Sequence, residues 1–147
     1  MFQNFLVPID GSELSLRAVR AAVALASEVE ARVTFFHALP DGESSLYGEA
    51  ALMRAIEPGA FERAVNERAA ALLADAERIA SEAGIVSARS HEVADRPYEG
   101  IIAAAEKLGC DVIVMASHGY RGVKGLLLGS QTQQVLAHST IPVLVYR

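Results

Sequence analysis

Short apolar runs alternate along this chain with longer segments that have the character of helices. The runs typical of a buried strand lie at 5–9, 32–38, 111–116 and 141–146, and a more polar segment at 86–93 is also predicted to be a strand. The segments predicted to be helical lie at 14–29, 61–83, 95–108 and 130–138. In 14–29 and 61–83 the apolar residues recur every three or four positions, which is the spacing of one helix face.

Strands that read as unbroken apolar runs and alternate with helices are typical of a parallel sheet covered on both faces. Strand 86–93 is more polar than the others, so we expect it near an edge. The sequence therefore predicts one α/β domain over residues 1–147. It would be a doubly wound fold with a five-stranded, mainly parallel sheet and helices on both faces. Residues 39–58 are predicted to be irregular, with a short helix at 50–56.

Composition excludes some classes of function. The 147 residues are 52% hydrophobic and 21% charged, and a net charge of −5 without a basic cluster argues against nucleic acid as a partner. No apolar run is long enough to span a membrane and no signal peptide is apparent, so we expect a cytoplasmic protein without a membrane partner. The one cysteine, Cys110, is interpreted as a small buried residue.

Ligands of open parallel sheets bind at the carboxyl ends of the strands, where the strand order reverses. Asp10 follows the first strand, and glycines at 119, 122, 125 and 129 follow the fourth. A helix begins near Ser130, so unpaired N–H groups and a capping hydroxyl would converge there to bind an anion. Asp10 could accept hydrogen bonds from a ribose or help to hold Mg²⁺. We expect the first and fourth strands to be neighbours at this point.

The residues alone leave alternatives open. The glycine-rich stretch contains neither G-x-x-x-x-G-K-[ST] nor G-x-G-x-x-G, and it could be a ligand-free connection between strand and helix. Asp10 could merely cap the first helix. We interpret His118 as a positioning residue and His37 as a hydrogen-bonded packing residue, since neither a Ser/His/Asp arrangement nor a metal-ligand set of the protein is apparent.

Four segments together resemble the universal stress protein family: 5–12, 112–119, 126–130 and 141–145. ATP-binding members of that family share the motif G-x₂-G-x₉-G-[ST]. Gly119, Gly129 and Ser130 match its last three positions, and Ala116 replaces its first glycine. The resemblance extends over essentially the whole chain.

The resemblance implies a site for ATP. Asp10 would contact the ribose, and the backbone of Ala38 would contact the adenine. The other residues implied for the site are Pro8, Ile9, Met115, Ala116, His118, Gly119, Gly129, Ser130, Gln131 and Thr132. Mg²⁺ would arrive with the phosphates, and Asp10 is a further candidate ligand for it. Arg121 and Lys124 could neutralise phosphate charge.

The function implied by the resemblance is that of an ATP-binding regulatory module in a stress response. The resemblance also implies a homodimer through the last strand, whose apolar edge is formed by Val143, Leu144 and Val145. An unidentified protein partner would complete the regulation. A slow ATPase and a nucleotide-free dimeric scaffold are alternatives, although no residue is a dedicated catalyst. An FMN carrier fits the architecture but not the loops, because the glycines follow the fourth strand.

Overall fold

The computed structural model describes residues 1–39, 52, 55–119 and 128–147. Five strands alternate along the chain with four helices that are described over their full lengths. The strands are β1 (Asn4–Pro8), β2 (Arg32–Leu39), β3 (Ser87–Val93), β4 (Val112–Ala116) and β5 (Val143–Tyr146). The helices are α1 (Glu13–Glu28), α2 (Ala60–Glu82), α3 (Pro97–Lys107) and α4 (Ser130–His138). Each element lies where the hydrophobic pattern predicted it, with only small shifts at the ends.

The five strands form one parallel sheet in the order β3-β2-β1-β4-β5. β1 lies at its centre, where Phe5 is in register with Val33 of β2 on one side and with Val112 of β4 on the other. The chain first builds the sheet outward through β2 and β3, and then returns to the opposite side of β1. This topology confirms the doubly wound fold, the edge position of β3 and the pairing of the first and fourth strands.

Apolar side chains on the two faces of the sheet form two separate cores. In β1, Phe5 and Val7 enter the core beneath α1 and α2, whereas Leu6 enters the core beneath α3 and α4. Successive side chains of a strand point to opposite faces, so an unbroken apolar run supplies both cores. All five residues of β4 are buried for this reason.

Cys110 lies in the second core, next to the start of β4. Its side chain is buried, and burial raises the pKa of its thiol to about 11, with the neighbouring Asp111 carboxylate adding to the shift. Both observations agree with its interpretation as a small core residue.

Because only the thiolate reacts with disulfide reagents, Cys110 should be protected in the folded protein. We expect it to react with Ellman's reagent at about pH 8 at least ~100-fold more slowly in the native chain than in urea-unfolded chain. The measurement is the rate of thiolate release from the reagent in both states. Equal rates in the two states would contradict the burial of this side chain.

Several sequence predictions fall outside the described residues. Of the segment 39–58, Leu39 ends β2, and Leu52, Ala55 and Ile56 have a helical backbone. The rest of the short helix predicted at 50–56 lies outside the described part, as do the glycines at 122 and 125. The predicted contributions of Arg121 and Lys124 lie outside it as well.

Candidate functional site

A cavity of about 530 Å³ opens at the carboxyl end of the sheet, where β1 and β4 lie side by side. This volume is within the range of small-molecule binding sites. All twelve residues expected in the site line this cavity: Pro8, Ile9, Asp10, Ala38, Met115, Ala116, His118, Gly119, Gly129, Ser130, Gln131 and Thr132. The structure therefore brings residues that lie up to 124 positions apart in the sequence together around one cavity.

Three apolar lining residues were missed by the sequence reasoning, namely Phe36, Pro97 and Ile101. Two signals could have found them. Phe36 is two positions from Ala38 and shares its face of β2, because side chains of a strand alternate. Pro97 and Ile101 are four residues apart at the start of α3, so they share one face of that helix.

The carboxylate of Asp10 is fixed in the turn that leads from β1 into α1. Its Oδ1 accepts a hydrogen bond from the N–H of Ser12 at 2.9 Å, and its own N–H donates to Ser15 Oγ at 3.2 Å. Ser12 is the residue that caps α1, since its Oγ accepts from the N–H of Ser15 at 3.1 Å. Asp10 thus orients the cap without being the cap, and it also lines the cavity.

Gly119 allows the stretch after β4 to approach Asp10 closely. A Cβ at position 119 would lie 2.5 Å from Asp10 Oδ2, which is closer than any ordinary contact. The φ angle of Gly119 is not positive, so a left-handed backbone does not explain the glycine at this position. The close approach of the Asp10 carboxylate does explain it. The two loops of the switch point therefore touch at Gly119 and Asp10.

Gly129 closes the same stretch from its other end. Its N–H donates to the carbonyl of Ser117 at 2.6 Å, and a Cβ added to it would lie 3.3 Å from that oxygen and from His118 Cα. Its backbone is extended, with φ −69° and ψ 158°. Here too the glycine serves a close approach of two backbone segments.

The expectation that a Ser130 hydroxyl caps α4 is wrong. Gly129 occupies the cap position, no side chain caps the helix, and Ser130 is its first helical residue and is exposed. The N–H groups of Ser130, Gln131 and Thr132 have no acceptor among the described residues. Since all three residues line the cavity, its wall carries unpaired donors at the positive end of a helix dipole.

Hydrogen bonds lock the remaining polar residues of the site. The buried hydroxyl of Thr132 donates to the carbonyl of Ala116 at 2.9 Å, which ties α4 to the end of β4. His118 Nδ1 lies 2.9 Å from Ser117 Oγ. His37 Nδ1 lies 2.7 Å from the carbonyl of Ile9 and must be the donor, which agrees with its interpretation as a packing residue.

The cavity thus combines three kinds of surface. Its lining includes the backbone N–H groups at the start of α4, the Asp10 carboxylate, and buried apolar side chains such as Ile9 and Met115. In the described ranges, no group of three or more His, Cys, Asp or Glu residues could hold a metal ion. Nor does any helix in those ranges have the length and apolar character that crossing a bilayer requires.

Comparison with known proteins identifies the family. The model of the universal stress protein family matches residues 1–147. The chain belongs to this family. A universal stress protein of Thermus aquaticus is 35% identical over 150 residues, which cover the whole of both chains.

Solved structures share the universal stress protein fold. The structure of the protein MJ0577 of Methanocaldococcus jannaschii matches with a TM-score of 0.81 at 26% identity, covering 99% of this chain and 95% of that one. A universal stress protein in complex with cAMP matches with a TM-score of 0.72 at 26% identity, covering 99% and 97%. The family and fold are those that the four sequence segments predicted.

Proposed function

We propose that the chain binds ATP, together with Mg²⁺, in the cavity at the switch point, and that it acts as a regulatory module in a stress response. The observation that carries this proposal is the convergence of the unpaired N–H groups of Ser130, Gln131 and Thr132 with the Asp10 carboxylate around one cavity. The N–H groups would donate hydrogen bonds to phosphate oxygens, and the Asp10 carboxylate would accept a hydrogen bond from a ribose hydroxyl. The cAMP complex of a structural neighbour supports an adenine nucleotide.

The residues present fit this ligand. Apolar side chains offer the surface that a base requires, and the backbone donors offer the charge complement of phosphates. Asp10 is the only carboxylate among the described lining residues, so the phosphate oxygens would supply most ligands of a bound Mg²⁺.

Ala116, in place of the family's first motif glycine, is compatible with this site. The φ angle of Ala116 is not positive, and Ala116 pairs with Tyr146 as an ordinary strand residue. The difference from glycine is therefore one methyl group at the end of β4, without backbone strain.

The experiment is a calorimetric titration of ATP with Mg²⁺ into nucleotide-free protein, with AMP, cAMP and GTP for comparison. We expect saturable binding of ATP with a Kd on the order of 10 µM, weaker binding of AMP and the weakest binding of GTP. Phosphate release in the same samples measures any hydrolysis. No heat and no thermal stabilisation at millimolar ATP would refute the proposal and leave the nucleotide-free scaffold.

The proposed module is a homodimer that pairs through β5. Among the described residues, no further strand pairs with β3 or β5 at the two edges of the sheet. The β3 edge carries Arg89, His91 and Glu92, and charged edges resist pairing. The edge at β5 is instead formed by Val143, Leu144 and Val145, and the Leu144 side chain is 40% exposed. The unidentified protein partner and the cytoplasmic location stay predictions.

A further inference from the structure

The side-chain amide of Gln131 is held in one orientation by the start of α3. Its Oε1 accepts a hydrogen bond from the N–H of Tyr98, the second residue of α3, at 2.9 Å. That N–H is one of the donors that a helix start leaves unpaired within the helix. Because a donor requires an acceptor, the oxygen of the amide must face Tyr98, and the amide cannot be flipped.

The nitrogen is therefore the free end of this amide. Gln131 is half-buried and lines the cavity, as does Pro97, which precedes Tyr98. In the described part of the chain, Gln131 Nε2 donates to no acceptor, although an amide nitrogen carries two N–H donors. The bridge between the two helices thus leaves uncommitted donors on a residue of the cavity wall.

The bridge also joins the positive ends of two helices. The N–H of Tyr98 belongs to the start of the 11-residue helix α3, and the backbone N–H of Gln131 belongs to the start of α4. Donation from Tyr98 to Oε1 polarises the amide and strengthens the Nε2 donors. A group with these properties is suited to an anionic acceptor.

We propose that Gln131 Nε2 donates a hydrogen bond to a phosphate group of the bound nucleotide, and that this side chain makes the site prefer nucleotides to nucleosides. The inference rests on the proposed function, because it assigns a role within the same cavity. The backbone N–H groups of α4 would then be joined by a side-chain donor whose orientation is fixed by α3. Gln131 is then a specificity-determining residue.

Two substitutions separate this role from a merely structural link between the helices. Gln131→Glu keeps an oxygen acceptor for the N–H of Tyr98 but replaces the free amino group with a negatively charged oxygen. Gln131→Met removes both the acceptor and the donor. Gln134→Glu is the matched control, since Gln134 is exposed on the same helix and the charge change is identical.

If Nε2 contacts a phosphate, Gln131→Glu should weaken ATP binding about a hundredfold, and Gln131→Met about tenfold. Gln134→Glu should leave the affinity within about twofold of wild type. Adenosine, which has no phosphate, should bind wild type and Gln131→Met equally. The measurements are calorimetric titrations with ATP and adenosine, with thermal unfolding of each variant to confirm its fold.

Wild-type ATP affinity in Gln131→Glu would overturn the inference and leave the proposed function intact, because Gln131 would then only support α3. An equal loss of ATP and adenosine affinity in Gln131→Met would also overturn it, since a distorted site affects both ligands. Absence of ATP binding by the wild type would instead refute the proposed function itself. The three failures are therefore distinguishable.

Discussion

Gly119→Val is expected to weaken ATP binding by at least about a hundredfold while the chain stays folded. A Cβ at this position would lie 2.5 Å from Asp10 Oδ2, and the two γ carbons of valine require still more space. Asp10 Oδ1 is held by the N–H of Ser12, so the carboxylate cannot yield without breaking the turn into α1. The substitution therefore displaces the group proposed to bind the ribose.

Calorimetric titration with ATP measures the affinity of the variant, and thermal unfolding shows whether the variant is folded. Gly84→Ala is a control that strains the backbone without a steric contact. Gly84 follows α2 with φ +72°, and a Cβ there would meet nothing within 4 Å. It should lower the free energy of unfolding by about 1 kcal/mol without changing ATP affinity. Wild-type affinity in a folded Gly119→Val would contradict the role assigned to the contact between Gly119 and Asp10.

The fold could be predicted because its signals are local. The apolar run of β4 is buried on both faces, and a strand of that kind belongs inside a covered parallel sheet. Polar residues in β3 predicted its edge position, because an edge strand tolerates partial solvation. Helix α1 begins after Ser12, whose short hydroxyl side chain caps it by accepting from a nearby backbone N–H, which is again a local interaction.

The position of the site was predictable from topology, but its details depend on tertiary packing. The switch point follows from the strand order, which placed Asp10 and Gly119 together. The spacing of Pro97 and Ile101 places them on one face of α3, but whether that face lines the cavity depends on how α3 is rotated over the sheet. The capping role of Ser130 was wrong because Ser130 is already the first helical residue, and the cap position before it is Gly129, which has no side chain.

Val145→Pro is expected to convert the proposed dimer into a monomer. The carbonyls of Pro142 and Tyr146 accept hydrogen bonds from β4 and from Ser117, at 2.9 and 2.7 Å, so the backbone groups of these residues face β4. Backbone direction alternates along a strand, so the N–H of Val145 faces the free edge. Proline removes this donor and places its ring in the interface, without removing a bond to β4.

The dimer dissociation constant should rise by about a hundredfold or more, and sedimentation equilibrium would measure this change.

Val93→Pro is the matched control on the opposite edge. The N–H of Ala94 donates to Leu39 and the carbonyl of Val86 accepts from Val33, so Val93 faces outward from β3 in the same way. This variant should remain a dimer. If Val145→Pro dimerised as wild type does and Val93→Pro did not, the chain would pair through β3, and the charged side chains of that edge would belong to the interface.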